Sequence, residues 1–189
     1  MNRAFIPFLL IVLLSTAACT TVLHKVKKEP FQPDPQDTSL GTDIDDFQIE
    51  TAVAVNIKKA HPQLEAAHVN VHAYNGVVLL TGEVPTADLR TIAGETARKY
   101  RGVRQVHNEL QIRNPTSYLS RVNDGWLTTK VKSKLIASKE VKAGDIKVIT
   151  ENSVVYLMGI VPQSEAARAA SIASTTSGVR KVVKVFEYL

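Results

Sequence analysis

Asn70-Val71-His72-Ala73-Tyr74-Asn75-Gly76-Val77-Val78-Leu79-Leu80-Thr81-Gly82-Glu83-Val84-Pro85 holds two alternating apolar runs on either side of Asn75-Gly76. That is the pattern of a β-hairpin closed by a tight turn. The same phrase returns as Lys147-Val148-Ile149-Thr150-Glu151-Asn152-Ser153-Val154-Val155-Tyr156-Leu157-Met158-Gly159-Ile160-Val161-Pro162, with the weaker turn signal Asn152-Ser153. Upstream, Asp46, Ile49, Val53 and Ile57 match Asp124, Leu127, Val131 and Leu135, so each hairpin is preceded by a predicted helix that begins near an Asp cap. Downstream, alanine-rich segments at about 86–100 and 163–176 predict a second helix in each copy. Gly102-Val103-Arg104-Gln105-Val106 and Gly178-Val179-Arg180-Lys181-Val182 then end that helix and open a valine-rich strand. A repeat of this length means two copies of one small domain. Each is an α-β-β-α-β unit of the α+β class, with two helices packed on one face of a three-stranded sheet.

The 189 residues are 44% hydrophobic and 22% charged, with 9 Gly and 8 Pro, which excludes collagenous, mucin-like and wholly disordered chains. Such a length suits one domain or two small ones. Lys plus Arg number 23 against 18 Asp plus Glu, a net +5 that does not by itself imply nucleic acid. A single cysteine forms neither an intramolecular disulfide nor a cysteine metal cage.

That cysteine follows an address. Met1–Arg3 brings a positive charge, Ala4–Leu14 is almost continuously apolar, and Ser15–Ala18 is small. The apolar run is shorter than the roughly 20 residues a bilayer span requires, and its flanks are those of a secretory signal. Thr16-Ala17-Ala18-Cys19 resembles the bacterial lipoprotein signal, although that pattern prefers Leu where Thr16 stands. The resemblance implies cleavage after residue 18 and acylation, palmitate included, of Cys19. Thr20 in place of Asp implies sorting to the outer membrane, anchored by lipid and facing the periplasm. The alternative is a plain secretory signal with an incidental cysteine. Lys27, Lys28, Pro30, Pro33 and Pro35 make the next stretch an extended tether. The expected divisions are a signal peptide at 1–18, lipidated Cys19 and tether at 19–42, a first domain at 43–113, a linker at 114–120 and a second domain at 121–189.

The element order and the Gly-Val-x-x-Val ending closely resemble the BON domain of bacterial envelope proteins, in two tandem copies over nearly all of residues 43–189. Asn123-Asp124-Gly125-Trp126-Leu127-Thr128-Thr129-Lys130-Val131 and Val155-Tyr156-Leu157-Met158-Gly159 carry the most specific matches. The resemblance implies phospholipid binding and a part in keeping the outer membrane of the cell envelope intact.

Charge separates the copies. Residues 43–113 hold eight basic and nine acidic side chains, whereas 121–189 hold eleven and six. Lys130, Lys132 and Lys134 stand where the first copy has Ala52, Ala54 and Asn56. At about 100° per residue, Leu127, Val131 and Leu135 form the stripe that faces the sheet. Trp126, Thr129, Ser133, Ile136 and Ala137 fall on the other side, bordered by Lys130 and Lys134. Apolar tips edged by ammonium groups suit an anionic phospholipid surface, where rings enter the headgroup boundary and lysines reach phosphates. Two plainer readings compete: Trp126 as a plug between the domains, and the lysines as a solvated face.

Other constellations lead nowhere. His68 and His72 lie in a predicted strand, where four residues span about 13 Å, too far for one ion, so they are expected to face solvent. Asp43, Asp45 and Asp46 lack the further ligands and glycine of a calcium loop, and read as helix-start residues. Glu151 and Asp145 sit near the second hairpin with no base or metal to pair them. No nucleophile elbow or phosphate-cradling glycine loop is present. The expectation is therefore a non-enzymatic protein without cofactor or metal, binding anionic phospholipid and not nucleic acid. The alternative is a scaffold for an envelope protein partner, because a basic amphipathic face suits both.

Overall fold

The computed structural model describes residues 41–114 and 118–189, with side chains described for 45–114 and 119–189. The expected signal, Cys19 and the tether as far as residue 40 lie outside the described residues, as does the middle of the expected linker, whereas residues 41 and 42, expected as tether, begin the first helix. The first unit runs α1 (Gly41–Ala60), α2 (Pro62–Ala66), β1 (His68–Tyr74), β2 (Val77–Val84), α3 (Ala87–Arg98), β3 (Gln105–Asn108) and β4 (Gln111–Ile112). The second runs α4 (Tyr118–Ala137), a 3-10 turn at Ala143–Asp145, β5 (Ile146–Glu151), β6 (Val154–Val161), α5 (Gln163–Ser174) and β7 (Lys181–Tyr188). This is the expected α-β-β-α-β order twice, with three departures, one of them the 3-10 turn before β5. In the first unit the short helix α2 stands between α1 and β1, and the last strand is broken into β3 and β4.

In each unit the second strand is central. β2 pairs antiparallel with β1 and parallel with β3 and β4, and β6 pairs antiparallel with β5 and parallel with β7. A parallel partner requires a crossover, which α3 and α5 supply. Both turns have positive φ at two successive residues: 48° and 75° at Asn75 and Gly76, and 51° and 61° at Asn152 and Ser153. That geometry matches the twist of the flanking strands, and the second turn adopts it without glycine. Gly82 of β2 is demanded by close approach, since a Cβ there would stand 1.9 Å from the His68 carbonyl oxygen.

Alternation on the strands sends one set of side chains to the helices and the other to the opposite face. On the helix side, Val53 and Ile57 of α1 pack with Val78 and Leu80 of β2 and Ala93 and Ala97 of α3. Val131 and Leu135 of α4 do the same with Val155 and Leu157 of β6 and Ala169 and Ala173 of α5. Alanine on α3 and α5 lets each helix lie close to its sheet.

The other faces meet each other. Val77 and Leu79 of β2 pack against Ile149 of β5, Tyr156 and Met158 of β6 and Val185 of β7, forming a third core that joins the domains. The layers therefore run helices, sheet, sheet, helices, and α1 and α4 lie on opposite outer sides. No helix among the described residues is long and apolar enough to cross a membrane.

Candidate functional site

α4 begins at Tyr118, six residues before the Asp expected to cap it. Asp124 lies inside the helix, and its carboxylate accepts hydrogen bonds from the backbone amides of Asn152, at 2.7 Å, and Ser153, at 2.8 Å. Asp46 treats Asn75 and Gly76 the same way, at 2.5 and 2.8 Å. The repeated Asp thus grips the hairpin turn and corrects the capping interpretation. The repeated Arg serves that turn as well. Arg104 Nε donates to the Asn75 carbonyl at 2.8 Å, and Arg180 Nη2 to that of Asn152 at 3.1 Å.

With one face of α4 fixed on the sheet, the other is left to water. Trp126 is 66% exposed and Ile136 73%. Trp126, Thr129, Lys130, Ser133, Lys134 and Ala137 line one shallow, open depression. Lys130 Nζ stands 5.2 Å from the centre of the Trp126 ring, within range of a cation–π contact, and donates to the Ser177 carbonyl at 3.2 Å. The hydroxyls of Thr129 and Ser133 turn back to the carbonyls of Gly125 and Thr129, at 3.1 and 2.9 Å. Their polarity is spent inside the helix, so the depression offers mostly carbon between flanking ammonium groups.

Leu119 (78% exposed) and Val122 (53%) extend the same stripe by two turns, at helical spacing from Trp126. The sequence reading missed both because it began the helix at Asp124. Trp126 is not a plug between the domains, because the domains meet through their sheets on the far side of the second unit.

The seam between the sheets has an apolar centre and a polar end. β1 turns His68, Asn70, His72 and Tyr74 toward the second domain, not to solvent as expected. Asn70 Nδ2 donates to Glu151 Oε2 at 2.9 Å, and His68 Nε2 lies 3.6 Å from Glu151 Oε1. Glu83, wholly buried, takes Asn152 Nδ2 on Oε1 at 2.6 Å and Arg113 at 3.3 Å. Glu151, expected to stand alone, therefore has a base beside it. Burial pushes its carboxyl up, but His68 and Asn70, with Arg121, outweigh that and hold it below its ordinary value. Burial lowers His72, opposed by Glu50 and Glu151 and helped by Lys147. Burial, with Glu109 and Glu151 nearby, pushes the Tyr156 phenol up to about 12. Lys147 Nζ reaches Glu50 Oε1 at 2.5 Å and Arg104 reaches Glu187 at 2.5 Å, two further ties across the seam. Asp145 meets the seam through its backbone carbonyl, which accepts from Tyr74 OH at 3.3 Å.

The two units are copies of one α-β-β-α-β domain, packed sheet to sheet. Residues 45–114 and 123–189 each match the BON domain, and the chain belongs to the BON-domain family. It is 46% identical over 156 residues to the outer membrane lipoprotein DolP of Haemophilus influenzae, covering 82% of this chain and 80% of that one. It is 42% identical to the 21 kDa hemolysin of Actinobacillus pleuropneumoniae, over 80% of this chain and 78% of the relative. The osmotically-inducible protein Y of Escherichia coli is 30% identical over 74% of this chain and 72% of its own length.

Proposed function

We propose that this chain is a non-enzymatic, lipid-anchored protein of the outer membrane, facing the periplasm and binding anionic phospholipid through α4. One observation carries the reading: the outer face of α4 exposes Trp126 and Ile136 between lysines, on the side away from the partner domain. Exposing such groups to water is unfavourable unless a surface covers them. Seating them at the headgroup boundary removes their apolar area from water, and each nearby lysine adds about 1 kcal/mol on an anionic leaflet. The outer membrane lipoprotein named among the relatives supports the location, and the expected acylation of Cys19 supplies the anchor. Alone, α4 needs only to bind weakly, since an acylated chain already lies at the surface.

The test uses the mature chain prepared without its acyl chains, and Trp126 as the sole tryptophan. Its emission is expected to shift to the blue with vesicles containing phosphatidylglycerol, to revert with salt, and to stay put with phosphatidylcholine alone. Trp126→Glu is expected to weaken vesicle binding at least about tenfold, a loss of about 1.4 kcal/mol, with the fold intact. A folded chain whose emission ignores both vesicles would assign the stripe to an envelope protein partner instead.

A further inference from the structure

The polar end of the seam assembles chemistry that lipid binding does not use. His68 of β1 and Glu83 of β2 stand directly opposite each other in the hairpin register, and Glu151 of β5 enters from the other domain. One imidazole nitrogen and one carboxylate oxygen from each Glu all lie within 4.8 Å of one another. Glu83 is 0% exposed and Glu151 is 7% exposed. Two carboxylates buried this close repel, and the arrangement favours a cation among them. Arg113 meets part of that need, approaching Glu83 Oε1 at 3.3 Å from a half-exposed position. The Asn70 carboxamide stands among the same acceptors, with Nδ2 3.2 Å from His68 Nε2 and 2.9 Å from Glu151 Oε2.

We propose that His68, Glu83 and Glu151 form a divalent transition-metal site of the zinc class that clamps the two domains together. The donor set argues for that class, because imidazole with carboxylates suits zinc, whereas calcium and magnesium prefer oxygen alone. Zinc bonds of about 2.0–2.2 Å separate ligand atoms by about 3.4 Å. The His68–Glu151 separation of 3.6 Å is already close to that, and the Glu83 oxygen, within 4.8 Å of both, has to draw in to complete the set. A half-turn of the Asn70 carboxamide exchanges Nδ2 for Oδ1 and supplies a fourth donor; otherwise water completes the shell. Two ligands come from one domain and the third from the other, so binding links metal occupancy to closure of the seam. His72, also on β1, takes no part, which agrees with the spacing argument against a His68–His72 pair.

The experiment uses the untagged full mature chain in detergent, with Zn²⁺ for stability and Co²⁺ as a spectroscopic probe. One Zn²⁺ per chain is expected to bind with Kd below about 10 µM and to raise the unfolding midpoint by several degrees at hundredfold excess, reversibly with chelator. Co²⁺ is expected to give the visible absorption of a four-coordinate site. His68→Ala and Glu151→Gln are expected to abolish both effects, whereas His61→Ala and His107→Ala keep them. His68→Asn, closer in shape, is the substitute if His68→Ala does not fold. Failure of the wild-type chain to bind Zn²⁺ overturns the proposal outright, and so does undiminished binding by folded His68 and Glu151 variants. The site lies on the seam side of the second sheet and the exposed face of α4 on its helix side, and the metal experiment needs no vesicles, so its failure is read separately from that of the lipid reading.

Discussion

Asp124 shows how much one side chain in this fold has to do. It is nearly buried, and its two oxygens satisfy two successive amides of a turn that Ser153 enters at a φ of 61°. An L-residue in that region costs about 1–2 kcal/mol, so the turn needs an outside hold, and a carboxylate accepting two backbone amides provides one. Asp124→Ala removes both bonds and leaves the amides of Asn152 and Ser153 without that acceptor. The expected cost is about 3 kcal/mol, measured as a lower urea midpoint with an unchanged slope. The sequence displayed Asp46 and Asp124 as a repeated pair before a hairpin. It did not display that the acid reaches the hairpin, because the contact spans 28 residues and an Asp beside a helical pattern is usually a cap.

At the scale of the element, α4 accounts for most of the candidate site and for most of what the sequence reading missed. The pattern Leu127–Val131–Leu135 fixed which face is buried, and so correctly placed Trp126, Ile136 and the lysines outside. The helix start was misplaced because the acidic residue taken as its marker is occupied by the turn. The expected linker at 114–120 therefore takes in the first turn of the helix, Tyr118–Ser120, and a helix begun at Asp124 leaves both Leu119 and Val122 outside it. The first copy makes the contrast clear, since Gln48 stands at the place of Trp126 and Lys58-Lys59 at that of Ile136-Ala137. Twenty residues of α4 span about 30 Å, so a footprint from Leu119 to Ile136 runs along nearly the whole helix. Leu119→Ser with Val122→Ser is expected to leave stability within about 0.5 kcal/mol, since both are exposed, yet to weaken anionic-vesicle binding severalfold. Unchanged binding, measured by vesicle co-sedimentation, would confine the contact to Trp126–Ala137.

Across the whole molecule, the seam decides which faces are available. His68, Asn70, His72, Thr81 and Glu83 alternate along β1 and β2 as a polar face does, and read in one dimension such a face belongs to solvent. Only the second copy of the same domain covers it, and an internal repeat announces the copy without saying which surfaces meet. The cost of that covering falls on His72. Burial holds its pKa below the ordinary 6.5, against the pull of Glu50 and Glu151 and with the help of Lys147. The folded chain therefore keeps His72 neutral while the unfolded chain binds a proton below about pH 6.5, so the unfolded state takes up more protons as the medium acidifies. The stability held by the neutral form is fully present above pH 6.5 and is lost as pH falls from there toward the lower folded value. Urea unfolding at pH 7.5 and 5.5, with chelator present, is expected to show a midpoint that drops on acidification. His72→Gln, which cannot take the proton, is expected to flatten that part of the profile. Parallel pH profiles for the two chains would remove His72 as the cause and place the acid sensitivity elsewhere along the seam.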